Sequence, residues 1–360
     1  MKDKVGIGII GTGFARKVQV PAFLACEGAF IASVASGHLE NARTVATEAG
    51  AGHFTADWSE TVARDDIDIV CITTPPVMHR EMTLAAIANG KHVLCEKPMA
   101  MNTAEAEEMT TAADKAGVIA IIDHELRFLP GRTRARQMLH DGAIGKLMHV
   151  KTLFRSPYRA DPNVAFNWWS DVESGGGALG AINSHIIDSL NWFLDAQISK
   201  VSCQLQTNIR QRPDADGNMR EVTSDDQANM TLRFADGQLT RDTTGLVSVS
   251  MVEGPDYVHR MVFYGTDGSL RIEHDGLVFV AKRGESDWTA VEVDQKPKLP
   301  GMPDTGFAHA FQFFAPHIVD AVLDGKSEVD GAATFADGAA IQRVLDAARL
   351  SDKERHEVSL

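Results

Sequence analysis

The sequence predicts an α/β protein in two parts. A doubly wound parallel sheet is expected over residues 1–124, and an α+β domain with a mostly antiparallel sheet over residues 125–360. Three observations carry this reading. Short apolar runs alternate with helical patterns through the first 124 residues, the arrangement of parallel strands joined by helical crossovers. Beyond Glu125 the texture changes to period-two alternation, with Ala228, Met230, Leu232 and Phe234 on one face. Asp236-Gly237, Asp267-Gly268 and Asp275-Gly276 each separate two such runs, and Asp-Gly is a strong hairpin signal. A chain of 360 residues also suits two cores better than one.

In order along the chain, the parallel strands are expected at Val5–Ile10 and at residues 30–35, 67–73, 91–95 and 118–122. Helices fall between them, as over residues 81–88 and Thr103–Ala116. Asn102 and Glu105 supply a cap and early acid for the latter, and Gly90 and Gly117 stand where helices stop. In the second half, helices are expected over residues 131–140 and 177–194, then strands, then helices over 308–323 and 332–350 with Asp324-Gly325 between them. No internal repeat or low-complexity segment interrupts the pattern.

Composition narrows the function classes. The net charge is -14 and the pI about 5.4, with no basic stripe of the kind a nucleic-acid binder carries. Arg132, Arg134 and Arg136 read as one solvated helix face. An anionic ligand on so acidic a chain needs a local positive site. Cys26, Cys71, Cys95 and Cys203 form no CxxC pair and no zinc-spaced Cys/His cluster, so no metal is expected. Free buried thiols suit a reducing compartment. The start, Met1-Lys2-Asp3-Lys4, runs straight into a strand, and no apolar span reaches 18 residues. These features predict a soluble cytoplasmic protein with neither a nucleic-acid nor a membrane partner.

Two glycine patterns overlap after the first residues. Gly6 to Gly11 spells GxGxxG but lies within the strand. The physical candidate is Gly11-Thr12-Gly13-Phe14-Ala15-Arg16, which follows the strand and opens a helix, where backbone N–H groups favour a pyrophosphate. Arg16 occupies the third small position, and an ordinary strand-to-helix turn is the competing reading. The second strand ends at Ser36-Gly37-His38, with no Asp or Glu to bond ribose hydroxyls as an NAD site usually has. Ser36 tolerates a 2′-phosphate, and His38 or Arg43 can neutralise it. This favours NADP, with NAD as the second option. Ser-Gly is also ordinary turn chemistry.

Lys97 stands between Glu96 and Pro98 where the fourth strand ends. A lysine at the carboxyl end of a strand in such a sheet projects into the crevice where ligands bind. There an ammonium can transfer a proton or hold a developing alkoxide. A surface lysine after a buried strand is the plain alternative. Glu96 reads as a group that fixes Lys97 or a ribose and keeps the lysine charged. Arg127 offers a planar fork for a phosphate or carboxylate, or else an inter-domain salt bridge. In the 177–194 helix, Leu179, Ile182, Ile186, Leu190 and Phe193 share one face, while Ala181, His185, Asp188 and Trp192 form a separate narrow one. Gly175-Gly176-Gly177 is expected to give that helix a flexible approach. Trp168 and Trp169 suit either a core or a substrate platform.

With Gly11-Thr12-Gly13, Thr73-Thr74-Pro75-Pro76-Val77-Met78-His79, Glu96-Lys97-Pro98, Arg127-Phe128-Leu129-Pro130, and the glycine run followed by His185 and Asp188, the chain resembles the Gfo/Idh/MocA oxidoreductase family over almost its whole length. The resemblance implies a Rossmann domain and a second domain with a large open sheet. It implies hydride exchange between NAD(P) and a hydroxyl carbon of a sugar, cyclitol or polyol. It places Thr73, Thr74, Pro75, His79, Glu96 and Lys97 around the cofactor, and makes His185 the acid–base partner of Lys97. Trp169, Asn183 and Asp188, with Lys97 and Arg127, are then candidate substrate contacts. Ser36-Gly37 looks like the glucose–fructose oxidoreductase branch, which is commonly exported with a long leader that this chain does not show. Relatives often carry an acid at position 181 and glycine at 183; here Ala181 and Asn183 stand instead, which leaves the substrate class open. Two alternatives remain: redox-neutral processing of a glycoside with a tightly held nicotinamide cofactor, and a non-enzymatic NAD(P)-sensing regulator. An open sheet face also predicts a homo-oligomer, a dimer or tetramer.

Overall fold

The computed structural model describes residues 3–360. The chain forms two compact units, one from the residues up to 129 together with 296–339, the other from 130–295 together with 340–360.

The first unit opens with β1 (Val5–Ile10), α1 (Gly13–Lys17), α2 (Gln19–Leu24), β2 (Ala29–Ala35), α3 (Leu39–Ala49), β3 (His53–Thr55) and α4 (Trp58–Val62). It continues with β4 (Ile69–Ile72), α5 (His79–Ala88), β5 (His92–Cys95), α6 (Thr103–Ala116) and β6 (Ala120–Ile122). The second unit holds α7 (Pro130–His140), β7 (Leu147–Arg155), α8 (Ser184–Leu194), β8 (Ile198–Gln206), β9 (Gln211–Pro213) and β10 (Met219–Glu221). Then come β11 (Gln227–Phe234), β12 (Thr244–Ser250), β13 (Val258–Gly265), β14 (Gly268–Ile272), β15 (Val278–Lys282) and β16 (Thr289–Val291). The chain closes with α9 (Gly306–Leu323), β17 (Ala333–Thr334), α10 (Phe335–Glu354) and β18 (Val358–Ser359).

The first sheet runs β17-β6-β5-β4-β1-β2-β3, parallel throughout except for β17. β1 and β4 are buried along their whole length, as strands of a sheet covered on both faces must be. One face packs on α2, α3 and α9, with Ile7, Ile9 and Val34 against Phe23, Val45, Phe311 and Ile318. The other packs on α4, α5 and α6, with Ile10, Val70 and Ile72 against Val62, Met82 and Met109. The short β3 and α4 escape sequence reading because His53-Phe54-Thr55 is too brief and mixed to form an apolar run.

The boundary differs from the expected division at 124/125. Residues 296–339 belong with the first unit, because α9 supplies a cover that its sheet needs. Phe311 meets Phe23 edge-on at 5.5 Å, and Phe314 stacks on Phe128 at 4.4 Å. A helical period shows that α9 has an apolar stripe; it does not show which sheet receives it.

The second sheet runs β16-β15-β14-β13-β7-β12-β11-β8-β18. Only the β7–β12 pair in it is parallel. The α/β class and the mostly antiparallel second sheet are as expected from the sequence. Asp267-Gly268 and Asp275-Gly276 fall at the β13–β14 and β14–β15 connections. The β11–β12 connection is longer than a tight hairpin, with Gly237 donating to the Thr240 carbonyl inside it.

Candidate functional site

The glycine loop joins β1 to α1. Gly11 has φ +97, and a Cβ there would lie 2.4 Å from the Thr73 carbonyl oxygen and 2.7 Å from its hydroxyl. The Thr73 hydroxyl in turn donates to the carbonyls of Ile10 at 3.0 Å or Gly11 at 2.8 Å. Gly11 is therefore dictated by the neighbouring end of β4. Gly11→Ala is expected to lower stability by roughly 2–4 kcal/mol through strain and overpacking. Denaturant unfolding checks this, and an unchanged midpoint would contradict it. Gly13 differs, since a Cβ built on it meets no atom within 4 Å. Its space is open to a ligand rather than filled by protein. Ala15 is buried and Phe14 packs on the core, so both serve the loop from below.

Arg16 is exposed and committed elsewhere, donating through Nε to Glu48 on α3 at 2.8 Å with a second contact through Nη2. At the tip of β2, the Ser36 N–H donates to Thr55, and the Ser36 hydroxyl accepts from the His38 N–H at 3.3 Å. Arg43 pairs with Glu40 in the first turns of α3. No carboxylate occupies the tip itself.

The ends of β4 and β5 carry the remaining first-unit candidates. His79 was expected around the cofactor. The structure buries it completely, with Nε2 2.9 Å from the Thr74 carbonyl and Nδ1 3.0 Å from that of Pro98. It fastens the Thr73–Pro75 turn to the Lys97–Pro98 turn and presents no surface to a ligand. Desolvation pushes its pKa down, so it stays neutral. Arg127 pairs with Asp337 at 3.6 Å, and its side chain is 9% exposed. The sequence offers Arg127 as a fork for a phosphate or carboxylate, or else as an inter-domain salt bridge; the structure gives it an ion pair within the first unit.

Glu96 donates its backbone N–H to Ile72, and its carboxylate accepts from the Lys97 N–H at 3.2 Å. Sequence reasoning missed the groups beneath it. Asp123 directly follows β6, at 1% exposure, and accepts from Gln19 Nε2 at 2.8 Å. It lies carboxyl to carboxyl with Glu96, and buried Glu125 adds a third acid nearby. Burial pushes the Asp123 carboxyl well above the usual range, helped by the charges of Glu125 and Glu96. Burial also raises Glu96, against the pull of Lys97. The available signal was Asp123-His124-Glu125 directly after the last parallel strand, at the carboxyl edge where ligands gather.

In the second unit the glycine run is tightly packed, not flexible. A Cβ on Gly176 would lie 2.5 Å from the carbonyl oxygens of Trp168 and Trp169. A Cβ on Gly177, at φ +113, would lie 2.3 Å from the Asp225 carboxylate. Asp225 accepts from the Leu179 N–H at 2.7 Å and is pushed up to about 6, chiefly by burial. It anchors a π-helical turn, Leu179–Asn183, that leads into α8. Such turns often mark functional positions. Ala181, Asn183, His185 and Asp188 are all buried, so the separate face read from the helical wheel is not solvent-facing. Both side-chain amide atoms of Asn183 lack a hydrogen-bond partner. Trp169 is half-buried, with the Arg159 guanidinium 5.1 Å from its ring centre. Arg159 also donates to Ser170 at 2.7 Å. Thus Gly11 meets Thr73, Glu96 meets Lys97 and Asp123, and Asn183, His185 and Asp188 share one helical segment, while Arg16 and Arg127 are engaged by acids.

Among the described residues no group of three or more His, Cys, Asp or Glu could hold a metal ion. No helix there is long and apolar enough to cross a membrane.

Residues 5–124 match the GFO_IDH_MocA model, described as an oxidoreductase family with an NAD-binding Rossmann fold. Residues 133–271 match the GFO/IDH/MocA C-terminal domain. An uncharacterized oxidoreductase of Synechocystis sp. is 33% identical over 273 residues, covering 75% of this chain and 72% of the relative. Levoglucosan dehydrogenase of Pseudarthrobacter phenanthrenivorans is 29% identical over 300 residues, covering 76% and 74%. A solved structure of levoglucosan dehydrogenase with NADH and levoglucosan superposes at TM-score 0.88, with 25% identity and 99% of each chain covered.

Proposed function

Because the chain belongs to the Gfo/Idh/MocA oxidoreductase family, we propose that it oxidises a hydroxyl carbon of a sugar, cyclitol or polyol, or reduces the matching carbonyl, with Lys97 and His185 as acid–base groups. The observation that carries this reading is the layout of the first sheet. β5, β4 and β1 are consecutive, so Lys97, Thr73 and the Gly11–Gly13 loop leave its carboxyl edge side by side. The open space at Gly13 fits a dinucleotide drawn close to backbone N–H groups. When bound, the nicotinamide exchanges hydride with the substrate carbon. Lys97 polarises or protonates the oxygen on that carbon, with the Glu96 carboxylate beside it. His185 is the acid–base counterpart. Thr74, Pro75, Trp169, Asn183 and Asp188 complete the proposed contacts.

On the chemistry of the β2 tip, NADP is the favoured dinucleotide. Ser36 presents no charge against a 2′-phosphate, and Arg43 can exchange Glu40 for it. The levoglucosan dehydrogenase structure holds NADH, so the two cofactors must be compared directly. Initial rates with NADP⁺ and NAD⁺ at equal concentration, over a panel of levoglucosan, glucose and inositols, test both parts. At least about tenfold higher kcat/KM with NADP⁺, roughly 1.4 kcal/mol, is expected. A preference for NAD⁺ overturns the cofactor assignment, and no turnover on any substrate overturns the reaction. Self-association through the second-sheet face bearing Leu153, Leu246 and Tyr264, and a cytoplasmic setting for the four free thiols, belong to the same proposal.

A further inference from the structure

We propose that Asp123 is a positioning residue for Lys97: tied to Gln19, its carboxyl braces that of Glu96, and Glu96 sets the charge facing the lysine ammonium. This rests on the reading of Lys97 as the acid–base group.

The arrangement is a chain of polar contacts inside one unit. Gln19 is fully buried on α2, the helix that follows the glycine loop and α1. Its Nε2 reaches Asp123 across 104 residues of sequence, at 2.8 Å. Asp123 stands at the end of β6, whose neighbour β5 ends in Glu96 and Lys97. The Asp123 N–H donates to the Cys95 carbonyl at 2.8 Å, which holds the two strand ends in register.

Two carboxyls facing each other at such burial cannot both be ionised, and the pair shares one proton. The groups facing Asp123 agree with this. Glu96 and Glu125 both oppose its ionisation, Gln19 favours it weakly, and Cys71 and Cys95 are buried thiols held protonated. The charge of Lys97 favours a charged Glu96. The proton therefore resides mainly on Asp123, and Glu96 carries the negative charge toward Lys97. Asp123 acts as a neutral donor that keeps Glu96 ionised and aimed.

An amide can replace a protonated acid in this role, whereas a methyl group cannot. Asp123→Asn is expected to keep kcat within about threefold, because its amide still donates to Glu96 and Gln19 can turn its free Oε1 inward. Asp123→Ala is expected to lower kcat by roughly 10- to 100-fold with little change in cofactor KM. Without its donor, Glu96 protonates more readily, so the acid limb of the pH–rate profile moves up by about one unit in Asp123→Ala and returns in Asp123→Asn. Levoglucosan, or whichever sugar of the panel turns over fastest, serves as substrate. An unmoved acid limb in Asp123→Ala, or an Asn variant as impaired as Ala, overturns the proposal. Infrared difference spectra of wild type against Asp123→Asn need neither substrate nor the alanine variant. They should show the C=O stretch of a neutral carboxylic acid at neutral pH only in the wild type, and its absence overturns the shared proton. Lys97→Ala in the same assay keeps the two ideas apart: full turnover there removes the premise itself, whatever the Asp123 variants do.

Discussion

Lys97→Ala is expected to lower kcat by roughly 10²- to 10⁴-fold, the range typical of a positioned acid–base group. The loss should appear in turnover and not in cofactor affinity. In the proposed reading the glycine loop and the β2 tip hold the dinucleotide through their own backbone and side chains. Stability should change little, because Lys97 is only half-buried and the Lys97–Pro98 turn is held by His79 through the Pro98 carbonyl. Cofactor titration by fluorescence, thermal melting and steady-state rates on one preparation separate the three effects. A variant with wild-type turnover would falsify the assignment of Lys97. One with unchanged kcat but weakened dinucleotide binding would move Lys97 from chemistry to cofactor binding.

Gly13→Val carries the second large effect, in the opposite pattern. A valine there meets no protein atom near its Cβ, and Gly13 is not held at positive φ. The fold should therefore be retained, with stability within about 1 kcal/mol of wild type, since valine is no worse a helix former than glycine. Dinucleotide affinity should fall roughly 10- to 100-fold, the penalty of forcing a side chain into a close backbone–pyrophosphate approach. Isothermal titration with NADP⁺ and NAD⁺ measures it. Unchanged affinity for both would mean that the loop does not hold the phosphates. Gly11 makes the contrast: two residues apart, one glycine answers to Thr73 within the fold and the other to what the loop binds.

The sequence showed the strand–helix order, the Asp-Gly hairpins, the glycine loop after β1 and the placement of Lys97 at the end of β5. Each signal is local. A period, a cap or a turn residue is read within about a dozen residues, and a parallel sheet follows once strands and helices alternate. What stayed illegible depended on partners far away in sequence. His79 looks like a ligand-facing histidine until Thr74 and Pro98 close over it. Arg127 looks like a phosphate or carboxylate fork until Asp337 takes it, and Arg16 in the glycine loop is taken by Glu48. The glycine run at 175–177 looks flexible until the Trp168 and Trp169 carbonyls press against it.

The tertiary structure alone also decided that α9 covers the first sheet, and that Gln19 and Asp123 meet beneath Glu96. An apolar stripe or a buried carboxyl must be satisfied by something, but nothing local states by what. By itself the sequence determined which backbone the chain builds and where Lys97 stands after β5. Only packing settled which polar groups are consumed in holding that backbone together and which remain to face a substrate, because burial without a partner is too costly to be left open and the partner is chosen by the whole fold.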